Sequence, residues 1–156
     1  VRMLLELAQS AGWKGMVGGQ QVDMDSEGSQ PDVPVLEYIH THKTGALIRC
    51  SVVLGGLSAN AGEGFLHLLD RYGEKVGLAF QIVDDILDLT STTGELGKDQ
   101  GSDSARGKVT YPALLGLREA RVRALDLIED AKKELADLDA GGMLAQIADY
   151  VLLRRL

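Results

Sequence analysis

The chain has 156 residues, of which 45% are hydrophobic and 25% charged, and its formal net charge is −7 at pH 7. This length fits a single domain or part of one, and the acidic balance argues against a nucleic-acid-binding surface, which requires clustered Lys and Arg. The single cysteine, Cys50, excludes an internal disulfide and favours a reducing, cytoplasmic location. The apolar stretches are shorter than the roughly 20 residues that are needed to cross a bilayer.

The first third of the chain has the pattern of two helices. Apolar residues at helical spacing predict a helix from Val1 to about Gly19, and four glycines lie at its end. These glycines either end the helix, as their spacing alone favours, or allow another helix or a ligand to come close. Residues 22–33 are polar and are predicted to form a loop. Asp32, followed by Pro34, predicts the start of a second helix that continues through residue 48.

The rest of the chain predicts three further helices, so the expected fold is all-α. Strong apolar periodicity predicts a long helix from about Gly62 to Leu89. Residues 91–107 are glycine-rich and polar, and are predicted to form a loop. Thr110 is then expected to cap a helix that extends to Leu135, and a short last helix follows Gly142.

Three aspartates lie among apolar residues on the long helix. Asp84 and Asp88 are four residues apart and therefore share a face, while Asp85 points about 100° away. Like charges at this spacing repel each other, and a conflict with local stability of this kind favours a functional site. A bound magnesium ion would offset the repulsion between these aspartates, because this ion prefers oxygen ligands and is held by one or two carboxylates. A solvated acidic face remains the alternative for this motif alone.

Several polar residues could complete a metal–diphosphate site. Lys98 and Lys108 lie in or just after the glycine-rich loop, which could fold over a ligand and bring ammonium groups to phosphate oxygens. Lys43 and Thr44 interrupt an apolar helix, where a break can expose backbone N–H groups to an anion. Each of these residues, taken singly, is more often a solvated surface group, but together with the aspartates they indicate carboxylates, cations and donors around one cavity.

Five segments occur in the order found in trans-isoprenyl diphosphate synthases, and the chain resembles that family over essentially its whole length. The segments are residues 15–20, 42–48, 80–88, 96–99 and 107–112, which read GMVGGQ, HKTGALI, FQIVDDILD, LGKD and GKVTYP. The resemblance is closest to bacterial farnesyl or geranylgeranyl diphosphate synthases, the geranyltranstransferases. It implies a helical bundle of the isoprenoid synthase type, in which residues 1–156 form the C-terminal part of a single domain.

The resemblance also implies roles for individual residues. Asp84 would bind magnesium directly, with Asp85 and Asp88 binding it directly or through water, and manganese is an alternative ion. The diphosphate of the allylic substrate would be held by Lys43, Thr44, Gln81, Lys98 and Lys108. Phe80 would lie near the isopentenyl diphosphate pocket, and the catalytic residues would be Lys43, Asp84 and Lys98.

The implied reaction is a magnesium-dependent, head-to-tail condensation of isopentenyl diphosphate with dimethylallyl, geranyl or farnesyl diphosphate. The resemblance favours short products and a homodimer. The family's first aspartate motif is absent from the 156 residues, so they are expected not to catalyse condensation alone. The alternative is a catalytically incompetent fragment, or a regulatory or binding subunit of a synthase assembly. A purely structural protein would need five motifs by chance, and the head-to-head synthases fit the lysine-containing segments less well.

Overall fold

The computed structural model describes residues 1–29, 31–90, 109–136, 138 and 142–154. Within these ranges every regular element is a helix, which confirms the predicted all-α fold. The elements are α1 (Arg2–Ala11), α2 (Met16–Asp25), α3 (Val33–Ile39), a π-helical segment (His40–Gly45), α4 (Ala46–Ser58), α5 (Glu63–Thr90), α6 (Tyr111–Leu115), α7 (Leu117–Leu135) and α8 (Met143–Leu153). None of the described helices is both long and apolar enough to span a bilayer.

Helix α5 is the centre of the fold, and α4 and α7 pack along it. Its apolar residues recur every three or four positions, so that one broad stripe is buried. Ala79, Ile82, Val83 and Ile86 are completely buried in that stripe. The core therefore fixes the orientation of α5, and with it the direction in which its polar residues point.

Glycines bring α5 unusually close to the preceding segments. A Cβ at Gly77 would lie 2.8 Å from the Cα of Gly45, and one at Gly73 would lie 2.7 Å from the Cα of Arg49. Real side chains are not found at such distances, so the two backbones can approach only because these Cβ atoms are missing. This close contact places the π-helical segment directly against the C-terminal half of α5.

The N-terminal region differs from the single helix that the sequence predicts. It is divided at Gly12 into α1 and α2, and α2 continues to Asp25 through the first residues of the predicted loop. Gly19 is buried within α2, where a Cβ would lie 2.3 Å from the backbone nitrogen of Lys43. Both interpretations of the glycines therefore apply, because Gly12 ends a helix whereas Gly19 allows close approach of another segment.

Two other predicted boundaries can be compared with the structure. Asp32 is the N-cap of α3, as predicted, since its side chain accepts a hydrogen bond of 3.1 Å from the Val35 N–H. The helix predicted from Thr110 to Leu135 is divided into α6 and α7 at Gly116, where φ is +86°. Glycine adopts this left-handed conformation without a steric penalty. The predicted loop at residues 91–107 lies outside the described residues.

Candidate active site

Most of the predicted site residues in the described ranges gather where α2, the π-helical segment and the C-terminal half of α5 meet. A cavity of about 70 Å³ lies at this junction, and Asp23, Lys43, Gln81 and Asp85 are among the residues that line it. It also contacts Thr110, just before α6. Residues far apart in the sequence thus surround one small polar space.

The π-helical segment has a sequence suited to its geometry. In a π-helix the hydrogen bonds run to the fifth residue rather than the fourth, which changes the partners of the preceding carbonyl groups. The Thr41 hydroxyl donates to the Glu37 carbonyl at 2.7 Å, and Nδ1 of His42 lies 2.9 Å from the Tyr38 carbonyl oxygen. These side chains supply local partners for the widened turn. Lys43, the next residue, lines the cavity.

Lys43 forms an ion pair with Asp23 of α2. Its Nζ lies 2.5 Å from Oδ2 of Asp23, and the lysine side chain remains 30% exposed. The ammonium group therefore lines the cavity in a defined position and is still accessible to an anion. The sequence predicted the lysine as a ligand of diphosphate but gave no role to its carboxylate partner.

Thr44 and Gln81 are brought together, although 37 residues separate them. The Thr44 hydroxyl donates to Oε1 of Gln81 at 2.9 Å, and the Gln81 amide nitrogen donates to Oδ1 of Asp85 at 3.3 Å. The hydrogen bonds run from the π-helical segment onto α5, so the two predicted diphosphate ligands have a fixed relative position.

The three aspartates of α5 have different environments. The Asp84 side chain is 49% exposed, and Asp88, one turn further on the same face, is partly exposed. Asp85 is only 4% exposed, and its Oδ2 accepts a 3.0 Å hydrogen bond from the Tyr111 N–H and lies 3.1 Å from Nε2 of His40. Asp84 and Asp88 are thus accessible to an ion, whereas Asp85 is engaged by the protein.

Magnesium fits the Asp84–Asp88 face, although the described residues do not form a complete cage for it. In the described part of the chain, no group of three His, Cys, Asp or Glu side chains converges on a common point that could hold a metal. Magnesium typically needs only one or two carboxylates, and water and substrate phosphate complete its octahedron. Two accessible carboxylates one helical turn apart meet that requirement.

Arg154, just after α8, contacts two predicted site residues. Its guanidinium carbon lies 4.3 Å from the centre of the Phe80 ring, and one of its nitrogens lies 3.7 Å from Oδ1 of Asp84. This places a cation against the exposed aspartate and covers the aromatic ring. Sequence reasoning did not assign this arginine, because a basic residue near the end of a helix is an ordinary surface feature.

Tyr111 begins α6 and extends the buried polar cluster to α3. Its hydroxyl donates to Oε1 of Glu37 at 2.7 Å, and Arg123 lies 3.2 Å from the same oxygen. Burial, reinforced by the hydrogen bond to Glu37, raises the pKa of the Tyr111 hydroxyl. His40, Glu37 and Tyr111 were all missed as members of the site, since their contacts depend on the tertiary fold.

Lys98 and Lys108, by contrast, were predicted as ligands but lie outside the described residues.

Comparison with known proteins shows strong similarity over almost the whole chain. The profile of the family described as Polyprenyl synthetase matches residues 3–141. Farnesyl diphosphate synthase of Escherichia coli (strain K12) is 50% identical over 159 residues, which cover 99% of this chain and 53% of that protein. Dimethylallyltranstransferase of Fischerella ambigua is 46% identical over 156 residues, covering 99% of this chain and 45% of that protein.

Solved structures of related proteins have a similar fold. Geranyltransferase from Helicobacter pylori, solved in complex with magnesium and isoprenyl diphosphate, has a TM-score of 0.81 at 32% identity, covering 98% of this chain and 50% of that one. The chain spans about half the length of the curated relatives it matches. The family match, the identities and the shared fold together show that this chain belongs to the polyprenyl synthetase family.

Proposed function

We propose that this protein is a short-chain isoprenyl diphosphate synthase, of the farnesyl or geranylgeranyl type. It would join isopentenyl diphosphate to an allylic diphosphate in a magnesium-dependent, head-to-tail condensation. The observation that carries the proposal is that Lys43 and Gln81 line one cavity, with Thr44 hydrogen-bonded to Gln81, at the end of α5 that also carries Asp84. Synthases and transferases of this class among the relatives support it.

The cationic and polar residues would bind the allylic diphosphate. Lys43 is a compact charge that can approach a phosphate oxygen, and its ion pair with Asp23 sets its position before the substrate arrives. The Thr44 hydroxyl is oriented by Gln81, so this pair offers polar groups of fixed direction. Lys98 and Lys108, which precede α6 in the sequence, would add further positive charge to the same diphosphate.

Asp84 and Asp88 would hold magnesium, which when bound offsets the negative charge of the diphosphate. The allylic C–O bond breaks and its electron pair leaves with the diphosphate oxygen. Lys43 stabilises the charge that develops there, in a position fixed before the reaction. The double bond of isopentenyl diphosphate then supplies the electron pair of the new C–C bond, and a proton is lost to the released diphosphate.

The allylic cation must be protected from water while it exists. Buried Leu36 and Ile39 form an apolar part of the cavity wall, beside the polar groups that would face the diphosphate. Phe80, partly buried beneath Arg154, would lie near the second substrate. An apolar wall next to a charged end suits a substrate with a hydrocarbon tail and a diphosphate head.

A homodimer and a cytoplasmic location are further parts of this proposal.

The test is an incorporation assay with the protein encoded by the complete reading frame. Radiolabelled isopentenyl diphosphate is supplied with dimethylallyl, geranyl or farnesyl diphosphate, with and without magnesium. We expect magnesium-dependent product, and we expect Asp84→Asn to lower kcat by a hundredfold or more, the order of loss seen when charge stabilisation in the transition state is removed. Asp130→Asn, which changes an exposed carboxylate on α7, is the matched control and should leave the rate unchanged.

Two results would contradict the proposal. Product formation that does not require magnesium would exclude the assigned role of the aspartate face. Magnesium-dependent binding of diphosphate without incorporation from any of the three acceptors would instead support a regulatory or binding subunit. The chain length of the labelled product would decide between the farnesyl and geranylgeranyl types.

A further inference from the structure

The buried carboxylate of Asp85 is the point at which three elements are connected. Its Oδ2 accepts from the Tyr111 N–H at 3.0 Å and lies 3.1 Å from Nε2 of His40, while its Oδ1 accepts from the Gln81 amide at 3.3 Å. These donors belong to α6, to the π-helical segment and to α5 itself. Asp85 is 4% exposed and His40 is 7% exposed, so the contacts are shielded from water.

This environment does not suit a ligand of the metal. An ionised carboxylate only accepts hydrogen bonds, and both Asp85 oxygens already have donors directed at them. A metal ion would have to reach a carboxylate that is 4% exposed and of whose roughly four acceptor sites three already face donors, so the surrounding elements would have to move apart. The neighbouring Asp84 side chain is 49% exposed, so an ion can approach it from solvent, although Arg154 lies 3.7 Å from its Oδ1.

The same contacts fix both ends of the π-helical segment. His40, its first residue, is held directly by Asp85. Thr44, its fifth residue, is held indirectly, because its hydroxyl donates to the Gln81 side chain that in turn donates to Asp85. Lys43 lies between these two attachment points. The direction in which Lys43 faces the cavity, and the position of Thr44 beside Gln81, therefore depend on one carboxylate on the opposite element.

We propose that Asp85 is a positioning residue: through His40 and Gln81 it holds the π-helical segment so that Lys43 and Thr44 face the diphosphate, and it does not bind the metal. The proposal rests on the function proposed above. It separates Asp85 from Asp84 and Asp88, although all three belong to one sequence motif, and it assigns His40 to the same positioning unit.

The decisive comparison is between Asp85→Asn and Asp88→Asn in the protein encoded by the complete reading frame. An asparagine has one acceptor oxygen and would turn its NH₂ group toward a donor, so the attachment of the segment fails. We expect Asp85→Asn to raise the KM for the allylic diphosphate about tenfold or more, and to leave the magnesium concentration for half-maximal rate within about twofold. Asp88→Asn should shift the magnesium dependence by about tenfold.

Variants at His40 separate positioning from a merely structural role. His40→Leu removes the donor to Asp85, whereas His40→Gln retains an N–H group of similar reach. The leucine variant should raise the KM as Asp85→Asn does, and the glutamine variant should restore it to within about threefold of the parent value. If His40→Leu fails to fold, the glutamine variant and Asp85→Asn still decide the question by the split between KM and magnesium dependence.

Two outcomes overturn the proposal. A magnesium shift in Asp85→Asn as large as that in Asp88→Asn would show that Asp85 binds the metal. An unchanged KM for the allylic diphosphate in folded Asp85→Asn would show that the attachment of the π-helical segment to Asp85 does not affect diphosphate binding.

A parent protein without turnover would contradict the proposed function, but the positioning role would still be tested by calorimetric binding of inorganic pyrophosphate with magnesium. In that assay the Asp85→Asn protein should bind pyrophosphate about tenfold more weakly, with the magnesium requirement unchanged. If even the parent protein bound no pyrophosphate, the positioning proposal would be overturned as well.

Discussion

Adding one methyl group at Gly19 should separate α2 from the π-helical segment. In Gly19→Ala the new Cβ would lie 2.3 Å from the backbone nitrogen of Lys43 and 2.8 Å from the carbonyl carbon of His42. The first contact must lengthen by more than 1 Å to reach the 3.4 Å at which ordinary van der Waals contact begins. Both atoms are backbone atoms, so no side-chain rotation can relieve the clash.

The expected loss of stability follows from two opposing effects. Overpacking of this kind costs about 1–3 kcal/mol, and replacing a helical glycine by alanine returns about 0.5–1 kcal/mol. We therefore expect Gly19→Ala to lower the free energy of unfolding by up to about 2.5 kcal/mol, and in any case to leave the protein less stable than an unhindered glycine-to-alanine change would. Because the displaced atom belongs to Lys43, binding of diphosphate should weaken as well.

Urea unfolding at neutral pH measures this difference, with Gly55→Ala as the matched control. Gly55 is an exposed helical residue of α4, and a Cβ there would meet nothing within 4 Å. The control should raise the free energy of unfolding by about 0.5–1 kcal/mol, since only the helix preference changes. If Gly19→Ala proved as stable as Gly55→Ala, the close contact between α2 and the π-helical segment would be refuted.

Two further predictions concern pH dependence. Tyr111→Phe removes the hydrogen bond to Glu37 and should lower stability at pH 7 by about 1.5–3 kcal/mol, the range for hydrogen bonds to charged groups. Because the folded state raises the pKa of the Tyr111 hydroxyl above its ordinary value of about 10, this contribution is complete below about pH 10 and decreases progressively as the pH rises above it, so the difference in thermal unfolding between the two proteins should shrink with increasing pH. A difference that did not shrink at high pH would contradict this assignment. The hydrogen bond from Lys75, with Arg71 nearby, lowers the pKa of Glu134, so Glu134→Gln should reduce stability at pH 7, and this difference should decrease progressively as the pH falls below the ordinary value of 4.5. Equal urea midpoints at pH 7 would show that this ion pair contributes nothing.

The long helix and the capped helix were predictable because their signals are local. The apolar period predicted α5 from about Gly62 to Leu89, within one residue of the observed Glu63–Thr90. The break at Gly116 was missed, since a single glycine is compatible with a helix and only the fold imposes its positive φ. The boundary between α1 and α2 was placed too late, near Gly19 instead of Gly12, because the four glycines of this region do not indicate which of them ends the helix.

The site was predictable as a set of residue types, but not as a set of contacts. Helical spacing placed Asp84 and Asp88 on one face, and the segment motifs brought Thr44 to the same site as Gln81. The contacts of Asp85 with His40 and Tyr111 join residues 45 and 26 positions apart in the sequence. Nothing local distinguishes this buried carboxylate from its accessible neighbours, because the difference arises from which elements pack against each face of α5.

The widened turn at residues 40–45 also preserves the phase between the helices on either side of it. Each residue of an α-helix advances the chain by about 100°, and a π-helical turn accommodates an additional residue. Deleting one residue here would allow a continuous α-helix in which the buried face of α3, which carries Leu36 and Ile39, keeps nearly the same phase relative to that of α4, which carries Cys50 and Val53. A one-residue deletion would therefore spare the core on both sides of the turn and displace mainly the polar groups within it.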